Sequence, residues 1–110
     1  MKKLTEEKAI KRSRDETTHI TDYGFITPAH DFVVSHINGV HGPLRNTKTT
    51  RVYYVISGTG VFESDAEKVP VKNGDIIVVA AGEWATIHGN HLKTAIVCTP
   101  PFTPADYEEK

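Results

Sequence analysis

Two arginines and several hydroxyls are spaced so that they could act together. Strand alternation puts Arg45, Thr47, Thr49, Arg51 and Tyr53 on one face of an unbroken strand. A guanidinium is permanently cationic and only donates hydrogen bonds. Two of them among hydroxyls therefore suit a carboxylate or phosphate read bidentately, and they repel a divalent metal. Buried without partners, such cations would cost on the order of several kcal/mol each. A ligand must balance them, or an acidic side chain such as Asp75 or Glu83.

Other residues offer acid, base or metal chemistry. The six histidines are His19, His30, His36, His41, His88 and His91, and two or three together could bind a metal or move a proton. His36 shares a strand face with Phe32 and Val34 and reads as a core histidine or an inward base. His41 precedes Gly42-Pro43 and is expected to be exposed. Cys98 is the sole cysteine, which excludes an intrachain disulfide and a cysteine zinc site. Within Ala95-Ile-Val-Cys-Thr99 it reads as a small packing residue rather than a nucleophile. Trp84 and Tyr53 suit a pocket wall or ordinary packing.

The elements that must carry these residues are strands. Asp31 to Ile37 alternates, and Asn38-Gly39 and His41-Gly-Pro43 read as turns. Arg51 to Ile56 is β-branched and aromatic with no polar break after the arginine, and Ser57-Gly-Thr-Gly60 follows as a turn. Val61 to Ser64, Lys68 to Lys72 and Asp75 to Ala80 continue the pattern. Pro70 suits an edge, and Asn73-Gly74 is a hairpin signal. Trp84 to His88 and Leu92 to Thr99 complete the set, with Gly89-Asn90 between them. Residues 1–20 read as a partly flexible arm with at most a turn or two of helix. Residues 21–110 read as one domain, and Thr103-Pro104 could start a closing helical turn. Short strands at even spacing with almost no helix mean an antiparallel sandwich or barrel.

Within that all-β frame two stretches resemble the signatures of the cupin superfamily, small double-stranded β-helix (jelly-roll) barrels. Arg51 to Gly58 looks like the end of the first signature, with Gly58 as its closing glycine. Gly74-Asp-Ile-Ile-Val-Val-Ala-Ala-Gly82 looks like the second, with both glycines in place. The resemblance covers Val33 to Cys98 and implies a cupin barrel. It also implies that Arg51 stands where the family has its glutamate metal ligand. The His-x-His falls on Arg45 and Thr47, or on Leu44 and Asn46 for the longer spacing, and Ala80, Ala85 and Gly89 replace the proline, histidine and asparagine. None of the four usual ligands is present, so no metal and no cofactor carries over. Family ligand positions point inward, so Arg45, Thr47 and Arg51 are expected to do so, and His88 falls near the barrel mouth.

With 110 residues, 38% hydrophobic and 25% charged, the chain is one ordinary domain. A formal charge of −1 argues against nucleic acid, and no run approaches membrane-spanning length, so a cytoplasmic protein is expected. Val52, Tyr54 and Ile56, opposite Arg51, would need cover, which suggests a homodimer. The leading reading is a metal-independent cupin that binds a small anion or sugar derivative through Arg45, Thr47, Arg51, Tyr53 and Trp84. RmlC-like sugar-nucleotide epimerases are metal-free relatives of this kind. His36 and His88 are the candidates for any catalysis. One alternative is a metal-dependent isomerase or oxygenase with ligands recruited from His36, His41, His88 and His91. The other is a scaffold without enzymatic activity.

Overall fold

The computed structural model describes residues 1–110. Eight strands form one antiparallel sheet that winds into a double-stranded β-helix: β1 (Ile10–Ser13), β2 (Thr18–Thr27), β3 (His30–Asn46), β4 (Thr50–Glu63), β5 (Lys68–Lys72), β6 (Ile76–Val79), β7 (Ala85–Thr99) and β8 (Tyr107–Glu109). The order is β1-β2-β3-β7-β4-β5, with β6 also on β4 and β8 also on β3. β7 is the central rung: it pairs with β3 from Asp31 to Leu44 and with β4 from Thr50 to Glu63. No helix is long and apolar enough to cross a membrane.

Several expected turns are bends within long strands. Asn38-Gly39 and Gly42-Pro43 sit at register shifts in the β3–β7 ladder, after Ile37 and after His41, and β3 continues through both. Ser57-Gly58 and Gly89-Asn90 do the same for β4 and β7. A bulge holds one extra residue on one strand and bends it, so a continuous strand can pass from one face of the barrel to the other. The closing helical turn is replaced by a 3-10 turn, Pro104–Asp106, followed by β8. At the other end, a 3-10 turn at Glu6–Lys8 precedes β1, which pairs with β2 from Ile10 opposite Asp22 to Ser13 opposite His19. Asp15 holds the turn between them by accepting from the backbone of Thr17 and Thr18.

Alternation decides what each strand buries. In β4, Arg51, Tyr53 and Val55 point inward, while Tyr54 and Ile56 stay on the outside with Ile76 and Val78 of β6. The core joins Tyr53 and Val55 to Ile37, Phe62, Val79, Ile87, Leu92 and Ile96. The phase of the alternation breaks at Thr47-Lys48, where the chain bends between β3 and β4. Leu44 and Asn46 are consequently buried before the bend, and Thr49 and Arg51 after it.

Gly58 has φ 83°, and a Cβ there would lie 2.0 Å from the carbonyl oxygen of His91. Gly74 has a similar φ of 92° but open space around it. Gly58→Ala is expected to cost at least about 3 kcal/mol, or to prevent folding, because backbone must move. Gly74→Ala should cost only the left-handed penalty of about 1–2 kcal/mol. Urea denaturation of the two variants checks this, and equal losses would show that the packing at Gly58 is not tight.

Candidate functional site

The inner faces of β2, β3, β4 and β7 enclose a cavity of about 210 Å³. Val33, Ile37, Ile87 and Ile96 are contributed to its wall by the alternation of β3 and β7. The Arg12–Asp22 ion pair and the hydroxyls of Thr18 and Ser35 also line it. The remaining polar groups fall into two clusters.

The first cluster draws on both chain ends. His41 lies at the second bulge of β3 and lines the cavity with Arg14 and Tyr107. Arg14 follows β1 and reaches across the mouth to Glu109 of β8, with Nη2 donating to Oε2 at 2.6 Å. Its Nη1 lies 3.4 Å from His41 Nδ1. A guanidinium only donates, so Nδ1 is the accepting nitrogen and Nε2 carries the ring hydrogen. Tyr107 donates to the other oxygen of Glu109. The Arg14 and Tyr107 hydrogen bonds hold the Glu109 carboxyl below its ordinary range. Burial, and then the hydrogen bond to ionised Glu109, hold the Tyr107 phenol up. Burial, then the positive charge of Arg14, push His41 down to about 4, so its imidazole is neutral at neutral pH.

The second cluster is Arg51, Tyr53 and Cys98. Arg51 and Cys98 face each other in the β4–β7 ladder, and Asp31 is the next residue across in β3. Arg51 is 8% exposed and donates through Nη1 to the Tyr53 hydroxyl at 2.9 Å. Asp31 is buried and accepts from the Phe102 N–H. Burial, then the Asp31 charge, push the Cys98 thiol up, so it is an inert wall residue.

Of the residues singled out in the sequence, Arg51 and Tyr53 meet in the cavity; Arg45, Thr47, Trp84, His36 and His88 do not line it. Arg45 and Thr47 lie before the phase break at Thr47-Lys48 and point away from the interior. The Arg45 guanidinium stacks over Trp84, 4.7 Å from the ring centroid, and pairs with Glu108. Thr47 is exposed and donates to the Asp106 carbonyl. The inward pair is Leu44 and Asn46, the longer of the two spacings. His36 is on the exposed outer face, 6.3 Å from the His91 ring. His88 alternates outward from Ala85 and Ile87 and binds Glu63 at 2.9 Å. His41, expected to be exposed, lines the cavity because β3 runs on through Asn38-Gly39 and keeps it in the inward phase of Val33, Ser35 and Ile37. Asp75 and Glu83 do not balance Arg51. They cap the backbone N–H groups of Lys72 and Ala80.

The metal that cupins commonly carry needs three or more converging His, Cys, Asp or Glu donors. No such group is present. The histidines come at most in pairs, and the family's glutamate position holds a guanidinium. The residues of this chain do not fit that metal.

No sequence-family model matches the chain, and no curated protein sequence matches it. Solved structures do. Pac13 from Streptomyces, described as a nucleoside dehydratase, is 25% identical over 100% of this chain and 91% of its own, with a TM-score of 0.88. Variants of it with a histidine replaced by glutamine, or a tyrosine by phenylalanine, have structures with uridine. KdgF from a Halomonas species is 15% identical over 88% of this chain and 93% of its own, with a TM-score of 0.75. Oxalate decarboxylase from Bacillus subtilis is 13% identical over 99% of this chain and 33% of its own, with a TM-score of 0.83. The last two bear on the fold alone. The chain has the cupin-type double-stranded β-helix fold of these structures.

The His41 shift has a consequence for stability. Its folded value of about 4 lies below the ordinary 6.5, so the folded protein binds fewer protons than the unfolded one between those values. Stability is complete above 6.5 and falls as the pH drops toward 4. Between those pH values wild type should lose up to about 3 kcal/mol more than His41→Gln, measured by urea unfolding. Equal losses would show that His41 is not held neutral.

Proposed function

We propose that this cupin barrel binds a nucleoside, or a sugar of similar size, and eliminates water from it without a metal, His41 serving as the proton acceptor. The observation that carries this reading is the neutral imidazole of His41 in the cavity wall, within reach of Arg14 and beside Tyr107. Two further features support it. Pac13 is described as a nucleoside dehydratase, and its variants with uridine alter a histidine or a tyrosine. The cavity here holds one histidine and two tyrosines, His41, Tyr53 and Tyr107.

The chemistry needs few groups. A C–H bond next to an electron-withdrawing group breaks, its electron pair forms a C=C bond, and the C–O bond to the departing oxygen breaks. No electron is gained or lost overall, so no redox partner is required. Among the cavity groups, arginines cannot accept a proton, and Tyr53, Tyr107 and Cys98 are all held protonated. Glu109 is ionised but engaged by Arg14 and Tyr107, and Asp22 is engaged by Arg12 and the Gly24 N–H. His41 therefore takes the proton through Nδ1. Its low affinity for that proton lets the imidazolium pass it to the departing oxygen, which leaves as water. Arg14, in contact with the same nitrogen, is positioned to donate to that oxygen as charge develops on it.

The test is calorimetric titration with uridine and a panel of nucleosides and sugars, followed by NMR detection of the unsaturated product. Wild type should bind at least one of them saturably and turn it over. His41→Gln should keep the affinity within a few-fold and lose at least about 100-fold in rate. Turnover that survives in His41→Gln, or turnover that appears only on adding a metal, would overturn the reading.

A further inference from the structure

Arg51 is a cation in the barrel wall with no anion of its own. It takes part in no ion pair, whereas Arg12 is matched by Asp22 at 3.0 Å and Arg14 by Glu109 at 2.6 Å. Its only side-chain hydrogen bond is from Nη1 to Tyr53. Nε is sealed from solvent and has no partner. Nη2 also lacks a partner, but it is not sealed, and Arg51 lines the cavity. The Tyr53 hydroxyl accepts from Arg51, and its own hydrogen has no acceptor although the residue is 3% exposed. Two unused donors, a guanidinium edge and a phenol, thus stand side by side in the cavity wall. Asp31, two strands away along the same row, leaves Oδ1 unpartnered and does not close the distance to Arg51.

We propose that the molecule bound in the barrel carries a carboxylate, and that Arg51 and Tyr53 receive it. This rests on the reading of the cavity as the binding site for a nucleoside or sugar, and adds that the substrate is an acid of that class. The charge count selects the anion. Of the cavity's three arginines, Arg12 and Arg14 are ion-paired, and Arg51 alone has no carboxylate within ion-pair distance. A planar monoanion matches one charge and two adjacent donors. A phosphate dianion would enter with a surplus charge and more acceptors than the pocket satisfies, in a space that penalises both.

The experiment uses two matched pairs of probes, titrated by calorimetry into the full-length protein. One pair is uridine and its 5′-carboxylic acid. The other is tetrahydrofurfuryl alcohol and tetrahydrofuran-2-carboxylate, which lack the base and so test the anion site on its own. Each acid should bind roughly 10- to 100-fold more tightly than its alcohol, the worth of a charge-assisted hydrogen bond set. Arg51→Gln should erase that difference, each acid binding no better than its alcohol in the same variant, and uridine 5′-monophosphate should bind wild type no better than the acid. In wild type, the Arg51 Nε–H resonance should shift on adding either acid and not on adding either alcohol, a readout that does not depend on the variant folding. Acids that bind no better than alcohols, a preference that survives in Arg51→Gln, or a clear preference for the phosphate would each overturn the proposal. If both uridine probes fail while the tetrahydrofuran pair keeps its difference, the carboxylate site stands and the nucleoside reading falls.

Discussion

The ion pair between Arg14 and Glu109 holds the two ends of the chain together over the barrel mouth, and the site depends on it. Neither residue belongs to the barrel proper. Arg14 follows β1, which rests on β2, and Glu109 comes from β8, which rests on the far end of β3. Because the pair closes at 2.6 Å, Arg14 also reaches His41, and Tyr107 is drawn to the same carboxylate. A group near one terminus thus sets the electrostatics of a histidine in the middle of the chain. β8 is fastened independently by Arg45 to Glu108, by the Lys110 N–H to the Pro43 carbonyl, and by the Lys110 ammonium over Trp84. Arg45 and Trp84 therefore serve the site at a distance, by fixing the strand that carries Tyr107 and Glu109.

The barrel contributes a different constraint. β7 is hydrogen-bonded on both edges, so its inward residues, Ile87, Ile96 and Cys98, are fixed from two sides. The bulges of β3 fall on the same ladder. His41 continues the inward row of Val33, Ser35 and Ile37, and the bulge after it shifts the phase so that Leu44 and Asn46 turn in next. A bulge at an otherwise regular rung re-aims one side chain without unpairing the strand.

Much of the barrel was legible in the sequence because its cause is local. Glycines at 58, 74 and 82 mark positions where the backbone takes a left-handed φ, and the apolar strands between them have one reasonable pleat. The inward placement of Arg51 and Tyr53 followed from that pleat. What was not legible had non-local causes. Arg45 and Thr47 fell on the wrong face because the bend at Thr47-Lys48 shifts the alternation by one residue, and no residue type there announces it. His41 next to glycine and proline reads as a turn; only pairing with Ile87 of β7 makes it a strand residue. Arg14 sits in a charged stretch that looks solvated, and Glu109 in an acidic tail. Each acquires meaning only from the other, 95 residues away.

Arg51 shows how one substitution of type can redirect a fold's chemistry while leaving the fold alone. The position tolerates a long polar side chain because the pleat aims it into a cavity rather than into packed carbon. A carboxylate there would attract a cation and, with imidazoles beside it, would hold a metal. A guanidinium reverses the sign of the field. The nearby groups then follow electrostatically: the phenol of Tyr53 turns its oxygen to Arg51, and the positive charge adds to the forces that keep His41 deprotonated. An empty barrel with this wall disfavours protons and metal cations alike, and its most favourable occupant is an anion. Binding such an anion would offset the Arg51 part of the charge that acts on His41, while burial and Arg14, the larger causes, stay in place.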